Sequence, residues 1–199
     1  MKTTFKVVIA GLMLSTFVFD GCKKGPDDPF MSIHTRKGRM TGDWTVKKGS
    51  GTDVNGSSTT TWTYDGTTYS STTGSNTTTN GMTMTVSYVK DGTYKMVTTQ
   101  TATGFSDAVT ETGTWNFTGR IGDDKNKDHV VMKTLVHTDV QTIGSASTTT
   151  TETYTGDDAP VQLYYIDELK NKEIMFTWKG TDVSGSSTTS STGSYTLNQ

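Results

Sequence analysis

The stretch Met82-Thr83-Met84-Thr85-Val86-Ser87-Tyr88, followed by Lys90-Asp91-Gly92-Thr93, decides the fold. Apolar side chains at every second position, with hydroxyl-bearing residues between them, are typical of a strand with one buried face. An Asp-Gly pair directly after such a strand is a strong hairpin signal, and Tyr94 and Met96 begin the returning strand. The stretch therefore predicts two neighbouring antiparallel strands.

The composition extends this prediction to the whole chain. Thr, which is β-branched and fits a pleated sheet, is the most frequent residue, whereas Leu, Ala and Pro are scarce. Disorder is the competing interpretation of so polar a sequence, but four Trp and eight Tyr favour a packed core. A formal net charge of −2 gives no indication of a nucleic-acid partner. We expect an all-β, antiparallel fold.

Alternation and turn signals continue on both sides of the central hairpin. Trp44 opens the first strand, and Trp62 lies on the apolar face of another. Residues 70–81 carry almost no apolar side chain, which predicts either a mobile loop or the polar tip of a long hairpin. Later strands are predicted around Trp115 and Phe117 and over residues 130–140, 149–155, 161–166, 174–178 and 194–197, with a polar turn over 119–128.

Two short helical segments are predicted as well. Asp28-Pro29 can cap a helix that continues to Met40, because Pro is favoured at the first helical position. Arg36 and Arg39 would lie on a solvated basic face of this helix or near anionic lipid. A single helical turn is expected over residues 166–169.

A nine-residue segment, residues 52–60, recurs nearly unchanged as residues 181–189, and a shorter copy begins at Thr138. The copies begin at residues 52, 138 and 181, and spacings of this size between repeats occur in propellers. A propeller would also need a copy near Lys95, and that copy is absent. The copies are therefore expected to form similar hairpin tips.

The N-terminal segment predicts export. Lys2 and Lys6 precede an apolar run that is too short to span a bilayer comfortably, and Cys22, the only cysteine, follows it directly. Residues 19–22 resemble the lipobox of bacterial lipoproteins, in which the cysteine is acylated. We expect a signal peptide over residues 1–21, lipidation (palmitate) of Cys22, a tether over 22–29 and anchorage in the outer membrane, on its periplasmic face or at the cell surface. A cleaved signal with a free thiol, or an uncleaved anchor, is the alternative.

Several motifs resemble those of lipocalin-like domains in exported lipoproteins of Bacteroidota. They are Gly42-x-Trp44, Asp91-Gly92-Thr93-Tyr94, Gly113-x-Trp115-x-Phe117 and Tyr165-Ile166-x-x-Leu169 before Glu173-Ile174-Met175. The resemblance implies one domain over residues 30–199: an antiparallel up-and-down meander that closes into a lipocalin-like barrel of about eight strands, with a short N-terminal helix and Trp44 packed across its base.

No catalytic arrangement is visible, so we expect a protein without enzymatic activity, cofactor or metal. His129 and His137 are expected on one face of a strand without metal-ligand spacing, and residues 124–128 lack the Gly and Glu of a calcium loop. We expect the barrel to bind a small apolar or amphipathic ligand; the alternative is a structural or accessory lipoprotein of an envelope protein complex. The candidate ligand-lining residues of the barrel core are Trp44, Trp62, Met84, Tyr88, Tyr94 and Trp115.

Overall fold

The structure, a computed structural model, describes residues 35–118, 128–184 and 187–199. It confirms an all-β, antiparallel fold with one short helix. The elements are α1 (Arg36–Met40), β1 (Gly42–Asn55), β2 (Ser58–Tyr64), β3 (Thr68–Thr73), β4 (Asn76–Tyr88), β5 (Thr93–Ala102), β6 (Phe105–Thr118), β7 (Asp128–Ile143), β8 (Ala146–Thr153), a 3₁₀ turn (Gly156–Asp158), β9 (Val161–Leu169), β10 (Glu173–Ser184) and β11 (Ser187–Asn198).

Ten strands close into a barrel in the order β1-β2-β3-β4-β5-β6-β7-β9-β10-β11, and β8 pairs with β7 alone among the described strands. Residues 42–45 of β1 pair with β4, whereas residues 49–55 pair with β2. The barrel therefore has eight strands beside α1 and widens to ten above it. The predicted number of about eight is too low for the whole sheet, because the β2–β3 hairpin is inserted between β1 and β4.

The hairpin tips lie at the wide end, away from α1. Three of them are two-residue turns that begin with Gly56, Gly74 and Gly144, each at a φ of about +60°. Gly at the first central position is what a type II′ hairpin turn needs. Residues 70–81 form β3 and part of β4, so the prediction of a long hairpin with a polar tip is confirmed and the mobile loop is excluded.

The two longer copies of the repeat lie in neighbouring hairpins. Residues 52–60 run from β1 into β2, residues 181–189 run from β10 into β11, and β1 pairs with β11. The third copy, which begins at Thr138, starts in β7 and leads into the β7–β8 turn at Gly144. The prediction of hairpin tips is therefore confirmed for the two longer copies.

The apolar core lies in the narrow end, which we call the lower barrel. Trp44 crosses its base, and the Trp44 indole Nε1 donates a hydrogen bond to the Met40 carbonyl oxygen at 2.9 Å. The Trp115 indole Nε1 likewise donates to Val89 O at 3.1 Å. Because both buried indole N–H groups are satisfied, the two Trp side chains contribute their apolar area to the core without an unpaired donor.

Two details near α1 differ from the sequence predictions. Residues 166–169 form the end of β9 and not a helical turn, because Ile166 and Leu169 pair with Phe176 and Ile174 across an irregularity in the ladder. Arg39 is buried instead of solvated, and its guanidinium donates to Leu169 O at 3.0 Å. The capping Thr35 hydroxyl accepts from Gly38 N; the cap predicted at residues 28–29 lies outside the described residues.

Within the described residues, no helix is both long enough and apolar enough to cross a membrane.

Gly113 should be indispensable for packing of the lower barrel. A Cβ at Gly113 would lie 2.0 Å from the Lys133 carbonyl oxygen, so Gly113→Ala must displace backbone. We expect it to lower the free energy of unfolding by about 1–3 kcal/mol, measured by urea denaturation. Gly180→Ala is the matched control, since a Cβ there meets nothing within 4 Å. Equal losses for both variants would contradict the packing argument.

Candidate functional site

Five of the six predicted ligand-lining residues belong to the packed core of the lower barrel: Trp44, Met84, Tyr88, Tyr94 and Trp115. Each is at most 9% exposed. The Tyr94 and Thr134 hydroxyl groups are hydrogen-bonded at 2.8 Å, and burial raises the pKa of Tyr94. These five side chains therefore pack against other side chains in the core.

Trp62, the sixth, is just as buried, at 7% exposed, but it lies higher and belongs to an aromatic wall formed by Trp62, Trp178, Tyr195 and Tyr69. In register, Trp62 faces Gly51, Gly51 faces Gly193, and Gly193 faces Trp178. A Cβ on Gly51 would lie 2.5 Å from Trp62 Cζ2, and one on Gly193 would lie 2.3 Å from Trp178 Cζ2. Both indoles therefore rest against the sheet where the two glycines leave room.

The two indoles are stacked on each other with nearly parallel planes. Their planes are inclined by 14° and their ring centroids are 5.8 Å apart. The ring centroid of Tyr195 is 4.8 Å from that of Trp178, and the ring centroid of Tyr69 is 6.1 Å from that of Trp62. Burial, followed by the nearby Tyr69 and Asp53, raises the pKa of Tyr195 to about 12, so this wall is neutral at physiological pH.

The opposite side of the wide end carries an acidic wall. It is formed by the inward positions of β6, β7 and β8, namely Asp107, Glu111, Asp139 and Glu152, with His137. The strand order places β4 and β5 between the two walls on one side and β9 on the other. We call the space between the walls the upper lumen.

Side chains of the acidic wall are joined in pairs. The neighbouring Asp139 carboxyl, first through hydrogen bonding and after burial through its charge, raises the pKa of Asp107. Gln141 Nε2 donates to Asp139 Oδ2 at 3.2 Å. His137 Nδ1 lies 3.3 Å from Glu111 Oε1.

The acidic wall acts electrostatically on tyrosines around the lumen. The hydrogen bond that Tyr154 donates to Glu152 is the main cause that raises the pKa of Tyr154, and the charge of Glu111 adds to it. Burial is the main cause that raises the pKa of Tyr164, and Glu111 is one of the nearby groups that add to it. The ring centroid of Tyr164 is 6.0 Å from that of Trp178. Glu111 therefore disfavours the ionisation of both Tyr154 and Tyr164.

His129 and His137 lie on opposite faces of β7, so the prediction of one shared face is wrong. A ladder shift next to Gly113 leaves Leu135 as an extra residue and reverses the alternation between the two histidines. His129 is buried edge-on against Tyr165 at 4.8 Å. No group of three potential metal-ligating side chains occurs in the part of the chain that the structure describes.

Most residues of the upper lumen were not predicted from sequence. Asp107, Glu111 and Asp139 occupy alternate positions that the register turns inward, but isolated carboxylates in a Thr-rich strand give no local signal. Gly51 and Gly193 were not predicted either, although Gly51 directly precedes one copy of the repeat and Gly193 follows the other copy by four residues. The remaining predicted site, Cys22, lies outside the described residues, as does most of 124–128; Asp128 forms an ion pair with Arg36 at 2.6 Å.

The Asp107–Asp139 pair predicts a pH-dependent stability. Because the folded-state pKa of Asp107 is raised, its stabilisation is present below the unfolded-state pKa of ~4 and is lost as pH rises through the folded value. We expect Asp107→Asn, which keeps a hydrogen-bond donor without the charge, to be neutral near pH 3 and stabilising at pH 7 in urea unfolding.

Asp65→Asn is the control with the opposite sign. Backbone N–H groups of Thr67 and Thr68 lower the pKa of Asp65, so its stabilisation is present above the unfolded-state pKa and is lost as pH falls. Asp65→Asn should therefore lower the free energy of unfolding at pH 7, and the loss should be smallest near pH 3. A loss at both pH values for Asp107→Asn would show that the pair does not retain a proton.

No protein-family model, no curated protein sequence and no solved structure matches this chain. The residues that can indicate a function are therefore those of the upper lumen and of the N-terminal segment.

Proposed function

We propose that this chain is an exported lipoprotein, anchored in the outer membrane through Cys22, whose lipocalin-like barrel binds a small amphipathic ligand. The ligand carries a positively charged group and occupies the upper lumen. The proposal depends on one observation: the stacked Trp62–Trp178 pair, in which Trp178 is half-buried, stands on strands across the lumen from the acidic wall.

The two walls supply complementary interactions for such a ligand. An aromatic face attracts a cation by about 0.5–2 kcal/mol, depending on solvent exposure, and it also buries the apolar part of the ligand. Asp107, Asp139 and Glu111 supply charge-assisted hydrogen-bond acceptors. A wholly apolar ligand is a poorer match, because the apolar side chains of the lower barrel pack against one another and one of the two walls above them is acidic.

The charge distribution around the wide end also favours a cation. The five hairpins of this end, residues 50–63, 70–83, 98–111, 136–153 and 180–192, contain no Lys and no Arg. Of the described side chains that the register turns into the lumen, His137 is the one that can become positive. Walls with charges of one sign concentrate the field and raise the local concentration of counter-ions.

The position of α1 relates the anchor to the lumen. Thr35, the first described residue, stands at the α1 end of the lower barrel, so the chain from Cys22 enters there. A tether of eight residues, 22–29, reaches about 29 Å at most. The anchor would therefore hold the lower barrel near the lipid and leave the upper lumen facing away from it.

A structural or accessory role in an envelope complex is the second candidate. The tips are exposed, and their Thr hydroxyl groups form ladders such as Thr60–Thr73 at 2.6 Å and Thr72–Thr77 at 2.9 Å. Such rigid polar tips suit a contact with another protein. This role requires no ligand in the lumen, so substitutions in the acidic wall would leave it unchanged.

Binding of 2-phenylethylamine tests the proposed site. We expect this amine to change the Trp fluorescence when it binds. Its affinity should be higher than that of 2-phenylethanol, and the affinity of 2-phenylethanol should be higher than that of 3-phenylpropionate, because the acidic wall favours a cation and repels an anion. The double substitution Asp107→Asn with Asp139→Asn should weaken amine binding by about tenfold, or ~1.4 kcal/mol, in fluorescence titration.

Asp43→Asn is the matched control, since Asp43 is exposed on β1 of the lower barrel, outside the lumen. It should leave the amine affinity unchanged. Equal affinity for the amine and the alcohol, or loss of binding in Asp43→Asn as well, would exclude the acidic wall as the recognition site.

Replacement of Cys22 by Ala tests the anchor. Several acyl chains hold a protein stably, since each buried methylene contributes about 0.8 kcal/mol. We expect Cys22→Ala to appear in the soluble fraction after export and Lys23→Ala to stay with the membrane. Fractionation and intact mass of the mature protein report both outcomes; unchanged membrane association of Cys22→Ala would exclude lipidation as the anchor.

A further inference from the structure

Strand β8 has a free edge. It pairs with β7 and with no second strand among those described, and all eight of its side chains are exposed. Natural edge strands are commonly blocked by Lys, by Pro or by a bulge. The β8 sequence Ala-Ser-Thr-Thr-Thr-Thr-Glu-Thr contains neither residue, and its ladder with β7 runs without a shift.

The free edge presents four sets of backbone groups. Ile143 and Ala146 flank a two-residue turn, so Ala146 and every second residue after it are hydrogen-bonded to β7. The bond from Tyr154 N to Leu135 O at 2.8 Å fits this alternation. The N–H and C=O groups that point away from β7 therefore belong to Ser147, Thr149, Thr151 and Thr153.

We propose that this edge accepts an extended peptide as an additional strand, with basic side chains of the peptide directed toward the lumen. Main-chain hydrogen bonds to an exposed edge supply affinity, and alternate side chains supply specificity. On the lumen side of β8 lies Glu152, next to His137 in register, and the acidic wall continues on β6. The inference rests on the acidic wall of the proposed function, because that wall selects Lys or Arg.

A second copy of this chain is a poorer occupant of the edge. Antiparallel pairing of two β8 strands has a two-fold axis normal to the sheet, which points the two barrels in opposite directions. Both chains enter their barrels at the α1 end. The two anchors would then lie at opposite ends of the dimer and could not reach one membrane.

The test uses a capped heptapeptide of alternating Thr and Lys, Thr at both ends, and the full-length protein in detergent. If the peptide pairs antiparallel to β8 with its Lys side chains facing the lumen, the Thr amides of the peptide face the edge of β8. We expect N-methylation of the Thr amides to weaken binding at least tenfold, whereas N-methylation of the Lys amides leaves it nearly unchanged. Replacing Lys by Glu should abolish binding, as measured by calorimetry.

Thr149→Pro removes an edge N–H while the ladder with β7 stays intact, and it should weaken peptide binding at least tenfold with an unchanged circular dichroism spectrum. Glu152→Gln should reduce affinity several-fold. Binding that is insensitive to Thr-amide methylation, no peptide binding at all, or dimerisation through β8 would each overturn the inference. If 2-phenylethylamine still binds in those cases, the proposed lumen site stands; if neither probe binds, both proposals fail.

Discussion

The exchange of neighbours along β1 determines the shape of this protein. The first residues of β1 pair with β4, and after the irregularity between Val46 and Lys48 the strand pairs with β2. The turn between β2 and β3 sits at this branch, where Asp65 Oδ1 accepts hydrogen bonds from the backbone N–H groups of Thr67 and Thr68 at 2.9 and 2.8 Å. Eight strands leave room for packed side chains, and ten leave room for more. The wide end exists because two strands are added at that branch.

The polarity of the inward-facing residues along each strand follows the change in barrel width. The inward positions of β4 pass from Asn80 at the wide end to Met84 and Tyr88 at the narrow one, and those of β6 pass from Asp107 to Trp115. Apolar residues therefore meet where the barrel is narrow and can pack without water. Polar and charged residues meet where it is wide, where water or a ligand can satisfy them.

The sequence predicts those features of the fold that depend on short-range patterns. Alternation in β4 and the Asp91-Gly92 turn specify one hairpin, and this is confirmed by the register of Tyr88 with Tyr94. The number of strands could not be predicted in the same way, because insertion of β2 and β3 depends on which strand β1 meets, a long-range choice. The alternation of inward and outward residues also cannot be extended across a β-bulge. One extra residue at Leu135 exchanges the faces of all later residues of β7.

The aromatic wall shows why a surface of this kind could not be predicted from the sequence. Trp62 and Trp178 are far apart in the chain and come together because the glycines that face them, Gly51 and Gly193, also face each other across β1 and β11. Neither glycine is needed for a turn, since neither has a positive φ. Their role is to let an indole lie on the backbone, and that role is visible only when four strands are in register. The informative unit is thus a row across the sheet, Trp-Gly-Gly-Trp, whose members a linear motif cannot connect.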